Sequence, residues 1–178
     1  MVSAEAFNLD SLATSSYLDE TGNLPAQLKG KIGTYAIFDQ AQQLQYVGIS
    51  RDIATSLLLH LVRVPERCYW VKAAIIERPS RTLLTEIKER WIAEKTPPGN
   101  GADLLLWEEP LNGTRYMTPE EQKAYEQAMN EGERDKVLKN VARRLEQEVQ
   151  AKLEARGLGF SVRFDPKAKN QGILDLKV

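Results

Sequence analysis

Residues 33–60, GTYAIFDQAQQLQYVGISRDIATSLLLH, decide how the chain is read. The stretch opens on an alternating run, Gly33-Thr34-Tyr35-Ala36-Ile37-Phe38, and crosses the polar Asp39-Gln40-Ala41-Gln42-Gln43. It then resumes as Leu44-Gln45-Tyr46-Val47-Gly48. Two short β-prone runs joined by a few polar residues predict a hairpin. Asp52 stands where a helix N-cap is needed, ahead of Ile53, Leu57, Leu58 and Leu61 at helical spacing.

Outward from this stretch, residues 69–76 are almost uninterrupted in hydrophobicity, as expected of a central strand covered on both faces. Paired with the hairpin, they predict a small three-stranded antiparallel sheet. Ser80 caps a following helix whose stripe is Leu83, Leu84, Ile87, Trp91 and Ile92, and Thr96-Pro97-Pro98-Gly99 stops it. Leu104-Leu105-Leu106-Trp107 reads as a further strand or a buried loop. Upstream, residues 1–28 form an N-terminal lead with a short helix. Downstream, Thr118, Pro119 and Glu121 begin a helix as cap, first position and capping-box partner. A long helix follows with Leu138, Val141, Leu145, Val149 and Leu153 on one face. Residues 160–164 and 173–178 alternate and predict a terminal hairpin, whose open edge would suit a protein partner. The expected class is therefore α+β: a small three-stranded antiparallel sheet flanked by helices (29–102), behind the lead (1–28). A helical and β-hairpin extension (103–178) completes it.

Gly33-Thr34-Tyr35 and Tyr46-Val47-Gly48 resemble the paired tripeptides of the GIY-YIG nuclease superfamily, with Thr34 in place of the usual isoleucine. The resemblance runs over residues 29–102 and ends at Pro97-Pro98-Gly99-Asn100. The wording VGISRDIA, the stretch from His60 to Cys68 and the PPGN ending resemble one branch more specifically. That branch is the GIY-YIG domain fused ahead of plant plastid monothiol glutaredoxins, with its free-standing cyanobacterial relatives. No glutaredoxin domain accompanies it in this sequence.

Composition bounds the function. The 178 residues, 42% of them apolar, suffice for one good core with an appendage. No long uncharged apolar run offers a membrane span, and the first twenty residues lack a basic n-region, an apolar h-region and any arginine. One cysteine, Cys68, excludes an internal disulfide framework. A cytoplasmic protein without membrane insertion is expected. The net charge of −1 conceals an asymmetry, because residues 29–102 hold eleven Lys and Arg against seven Asp and Glu. This segment therefore carries about +4 and the flanks about −5, a mildly basic core compatible with phosphate binding.

The resemblance implies a metal-dependent endonuclease acting on nucleic acid, DNA ahead of RNA. Tyr46 would be the base, with Tyr35 beside it. Glu86 would hold one Mg²⁺ or Mn²⁺, and Asn100 would complete the set. The implied helical arginine, ten residues after the second tyrosine, falls on Ser56. A hydroxyl cannot neutralise charge developing on a phosphoryl group, a deficit of about 10²–10³ in rate. Arg51 is the nearer substitute, and Arg63 lies about 10 Å further along the helix. His60, on the face of Ser56, is a second candidate cation. Each residue also has a structural reading: sheet tyrosines, Glu86 paired with Arg90 at i+4, Glu89 as a competing ligand, Asn100 in a turn, His60 as a core histidine, Cys68 as an inert thiol. A degenerate nuclease fold that binds nucleic acid or protein is thus the alternative function.

Overall fold

A computed structural model describes residues 2–177, and its chain divides into two compact units, Met1–Glu108 and Glu109–Val178. Both units combine strands and helices, so the class is α+β. No helix among the described residues is long and apolar enough to cross a membrane.

In the first unit β1 (Ser15–Ser16), β2 (Ile32–Phe38), β3 (Leu44–Ser50) and β4 (Trp70–Ile76) form one antiparallel sheet in the order β1-β4-β2-β3. The hairpin and the third strand stand as expected. The sheet has four strands rather than three, because the N-terminal lead is not a regular helix. It makes 3-10 turns at Ala4–Ala6 and Leu9–Ser11, then lays two serines along the outer edge of β4. Two polar residues carry no hydrophobic alternation, so nothing in the sequence marks them as a strand.

Cross-strand partners share a face of a sheet. Tyr35 lies opposite Gly48 and Ile37 opposite Tyr46, so these residues share one face, while Thr34, Ala36 and Val47 point to the other. The first face receives α1 (Ile53–Arg63), whose N-terminus is capped by Asp52 through the Thr55 N–H. The second receives α2 (Arg81–Glu94), capped by Ser80 through the Leu83 N–H. Ile87 and Trp91 of α2 pack on Ala36, Val47 and Ala74, and the Thr34 hydroxyl donates to the Leu84 carbonyl. Residues 104–107, expected as a strand or loop, fold instead as α3 (Leu104–Glu108). A run of four apolar residues has no periodicity that separates strand from helix.

The second unit contains β5 (Leu111–Asn112), α4 (Pro119–Gln127), α5 (Glu131–Ala155), α6 (Pro166–Lys169) and β6 (Ile173–Leu174). Thr118 caps α4 through the Glu121 N–H, as expected. Glu121 does not close a capping box, because its carboxylate is taken by the Arg144 guanidinium at 2.5 and 3.1 Å. The terminal hairpin is also corrected. Residues 166–169 are helical, β6 pairs with β5, and among the described residues the two predicted strands meet only at the Phe164–Leu176 bridge. Val178, the end of the predicted second strand, and Met1, the start of the lead, lie outside the described residues.

Gly48 is the point where β3 leaves room for the tyrosine rings. A Cβ there would stand 2.5 Å from Tyr35 Oη and 2.7 Å from Tyr46 Cε1. Gly48→Ala is expected to lower the unfolding free energy by about 1–3 kcal/mol, the usual cost of overpacking. Urea denaturation measures it, and an unchanged midpoint would show that the rings accommodate a methyl group.

Candidate functional site

Tyr46 is 5% exposed on β3, and α3 fixes the direction of its phenol. Its ring stacks on Trp107 with centroids 5.3 Å apart and planes 2° from parallel, and its hydroxyl donates to Glu108 Oε1 at 3.0 Å. Trp107 is fully buried and carries the Arg67 guanidinium 5.4 Å from its ring centroid, while Arg67 pairs with Asp103 at the start of the same segment. A cavity of about 720 Å³ opens beside the phenol. Its polar lining is Tyr46, Ser50, Arg51, Ser80, Arg81, Thr85, Lys88 and Glu108. β3 is the edge strand of the sheet, so side chains from α2 reach round it to the same cavity as Tyr46.

The expected site residues separate into three groups. Tyr46 and Arg51 line the cavity. Tyr35 and His60 lie behind it in a buried aromatic layer, Tyr35 Oη and His60 Nε2 being 2.7 Å apart and the ring centroids of Tyr35 and Tyr46 6.2 Å apart. Asn100 and Glu86 are elsewhere. The Asn100 carboxamide accepts from the Val47 N–H at 2.7 Å and donates to the Val47 carbonyl at 2.8 Å. It thus supplies the missing ladder partner along the open edge of β3. Glu86 is exposed on the opposite flank of α2, where it lines a different cavity with Val2, Phe7, Ile75, Thr82 and Leu83. One residue of helix turns a side chain by about 100°, so Thr85 faces Tyr46 and Glu86 does not. Glu89, the competing ligand, is exposed and also absent from the Tyr46 cavity.

His60 does not serve as a substitute cation. Burial, helped by the Arg63 charge, lowers its pKa to about 3, against an opposing contribution from the Trp107 carbonyl. The imidazole is therefore neutral and belongs to the core. Burial also pushes both phenols above the ordinary tyrosine range. For Tyr46 the neighbouring Tyr35 and the Glu108 carboxylate push in the same direction. The protonated phenol is the resting form, with its proton directed at Glu108. Arg63 is committed to the Trp107 carbonyl at 3.0 Å, and Ser56 donates to Ser50 Oγ at 2.7 Å. Cys68 is fully buried.

Sequence reasoning missed Glu108, Arg81 and Lys88. The spacing of residues 81, 84, 85 and 88 on one helical face was the available signal for the two cations. Glu108 had none, since its position depends on α3 being a helix. Among the described residues no three His, Cys, Asp or Glu side chains gather into a metal cage. Such a cage is not what Mg²⁺ requires, because it is usually held by one or two carboxylates together with substrate phosphates. Glu108 is the carboxylate that fits this description beside Tyr46, and Glu86 is not.

No protein-family model matches the chain. A curated protein of Arabidopsis thaliana, "Bifunctional monothiol glutaredoxin-S16, chloroplastic", is 44% identical over 93 residues, which cover 47% of this chain and 32% of that protein. The chain thus matches about a third of the length of this plastid relative.

The His60 shift has a consequence for stability. The unfolded state binds the proton below about pH 6.5, whereas the folded state resists it down to about pH 3. This contribution is complete above about pH 6.5 and is lost progressively as the pH falls, by up to about 1.4 kcal/mol per pH unit. His60→Asn is expected to flatten the fall in urea stability between pH 6.5 and 5, where the chain has no other histidine to titrate. Parallel pH profiles for both proteins would contradict the buried neutral imidazole.

Proposed function

We propose that this protein binds the phosphodiester backbone of nucleic acid in the cavity beside Tyr46 and hydrolyses it, as an endonuclease of GIY-YIG type. The observation that carries the reading is that one cavity holds an oriented phenol, a carboxylate and cationic side chains. These are the parts that phosphodiester hydrolysis needs. The paired tripeptides and the relationship to part of a plastid protein support it. Cys68 is fully buried, and the reading assigns no thiol chemistry to it.

In this reading Tyr46 positions the attacking water and takes a proton from it as the phenol's own proton passes to Glu108 Oε1. Trp107 fixes the plane of the phenol, and Glu108 fixes the direction of its O–H. Glu108, rather than Glu86, would hold Mg²⁺ or Mn²⁺, which when bound supplies Lewis-acid charge on the phosphoryl oxygen. Tyr35 and His60 act from behind, as a rigid layer against which Tyr46 is packed.

Binding without cleavage is the second reading, and a specific observation favours it. A phenol whose pKa is raised by burial and by a neighbouring carboxylate is a reluctant base. Nicking of supercoiled plasmid with Mg²⁺ or Mn²⁺ separates the two. Tyr46→Phe and Glu108→Gln are each expected to slow nicking by about 10²–10³, while Glu86→Ala nicks as wild type does. Equal nicking by all four proteins would reduce the activity to a contaminant. DNA retention without nicking would leave the binding reading in its place.

A further inference from the structure

The position at which the resemblance expects an arginine on α1 is Ser56, whose hydroxyl is bonded to Ser50. A cavity that receives a phosphodiester still needs positive charge, and the structure offers it from another direction. Arg81 and Lys88 of α2 reach the Tyr46 cavity around the open edge of β3, and Arg51 reaches it from the turn after β3. We infer that Arg81 and Lys88 form the phosphate clamp of this site, moved from α1 to α2, with Arg51 at its rim. The inference rests on reading the cavity as a phosphodiester site, and it concerns binding rather than cleavage.

Five observations support the assignment. Residues 81, 84, 85 and 88 follow a single helical face, so both cations are displayed on the side of α2 that lines the cavity. The two positions are about 10.5 Å apart along the axis, which suits two different phosphates of one strand rather than a single one. None of Arg51, Arg81 and Lys88 makes an ion pair or a side-chain hydrogen bond among the described residues, whereas Arg63, Arg67 and Arg144 are engaged within the fold. Among the described residues Glu108 is the one carboxylate lining this cavity against three cations, so the local charge favours an anion. Ser80 and Thr85 add hydroxyl groups at the same wall, and the positive end of the fourteen-residue helix lies behind Ser80.

The test is the affinity of the full chain for a fluorescein-labelled 20-base-pair DNA duplex, read by anisotropy in EDTA across a salt series. EDTA removes cleavage from the measurement. Wild type is compared with Arg81→Ala/Lys88→Ala, with the charge-preserving Arg81→Lys/Lys88→Arg, and with Arg134→Ala/Lys136→Ala. The last removes the same charge from exposed positions of α5. Loss of two phosphate contacts is expected to lower the slope of log affinity against log salt by about two, and affinity at 0.1 M salt by roughly 50-fold. The charge-preserving pair and the α5 pair are expected to keep the wild-type slope. If both alanine pairs weaken binding alike, net charge alone is responsible and the clamp does not exist. An unchanged slope in Arg81→Ala/Lys88→Ala, a lost slope in the charge-preserving pair, or a wild type that does not bind the duplex would equally overturn it. Nicking that fails while the clamp behaves as described removes hydrolysis and leaves this inference standing.

Discussion

The pair of hydrogen bonds between the Asn100 carboxamide and the two backbone groups of Val47 is the contact on which the site depends. β3 is the edge of its sheet, and an edge residue leaves an N–H and a carbonyl without a ladder partner. A full extra strand would satisfy them and would also bury the edge. One side-chain amide satisfies them at a single residue and leaves the rest of the edge open. Gly99 makes the close approach possible, since a Cβ there would meet the Gln45 carbonyl oxygen at 2.4 Å. The Pro-Pro-Gly-Asn segment is thus a clasp on the strand that carries Tyr46.

Leaving that edge open has a geometric consequence. Tyr46 belongs to the sheet face that packs on α1, whereas α2 packs on the other face. Through the middle of a sheet, two such groups could never meet. Around an edge they can, and the cavity collects the phenol from one face and Arg81, Thr85 and Lys88 from the other. The clasp and α3 then continue as one segment. The chain leaves Asn100, turns, and within eight residues delivers Trp107 and Glu108 to the phenol.

Much of this was legible in the sequence. Period-2 alternation marked the hairpin, the Asp52 and Ser80 caps with the 83–92 stripe marked both helices, and near-continuous hydrophobicity marked the third strand, because burial imposes those patterns directly. The site was legible in part. Tyr46 was marked by its position in the motif and Arg51 as the nearer substitute for the cation missing at Ser56, and both line the cavity. Glu86 was marked by lying on the right helix, but a shift of one residue rotates a side chain out of a site, and helix phase is decided by packing. Glu108 was hidden because four consecutive apolar residues give no period. His60 stayed open between a cation and a core histidine, because a lone histidine near a helix end looks the same whether its surroundings are wet or dry. Only the buried layer of Tyr35, Tyr46 and Trp107 determines that it stays neutral.

The Ser56 substitution takes on a different meaning once the cavity is seen from both sides of the sheet. An arginine on α1 would approach the phosphate from the face of the two tyrosines. In this chain that face is already occupied: Tyr35 by His60, Ser50 by Ser56, and Arg63 by the Trp107 carbonyl. The burial of Tyr35, Tyr46 and His60 against one another explains the raised phenol pKa values and the lowered imidazole value together. Positive charge placed among those three buried rings would lose its hydration for little return. Placed on α2 and after β3, it stays at the rim, where Arg51 and Arg81 remain solvated until an anion arrives. In the proposed reading the fold separates two tasks: orientation of the phenol from the α1 side, and neutralisation of a phosphate from α2 and the turn after β3.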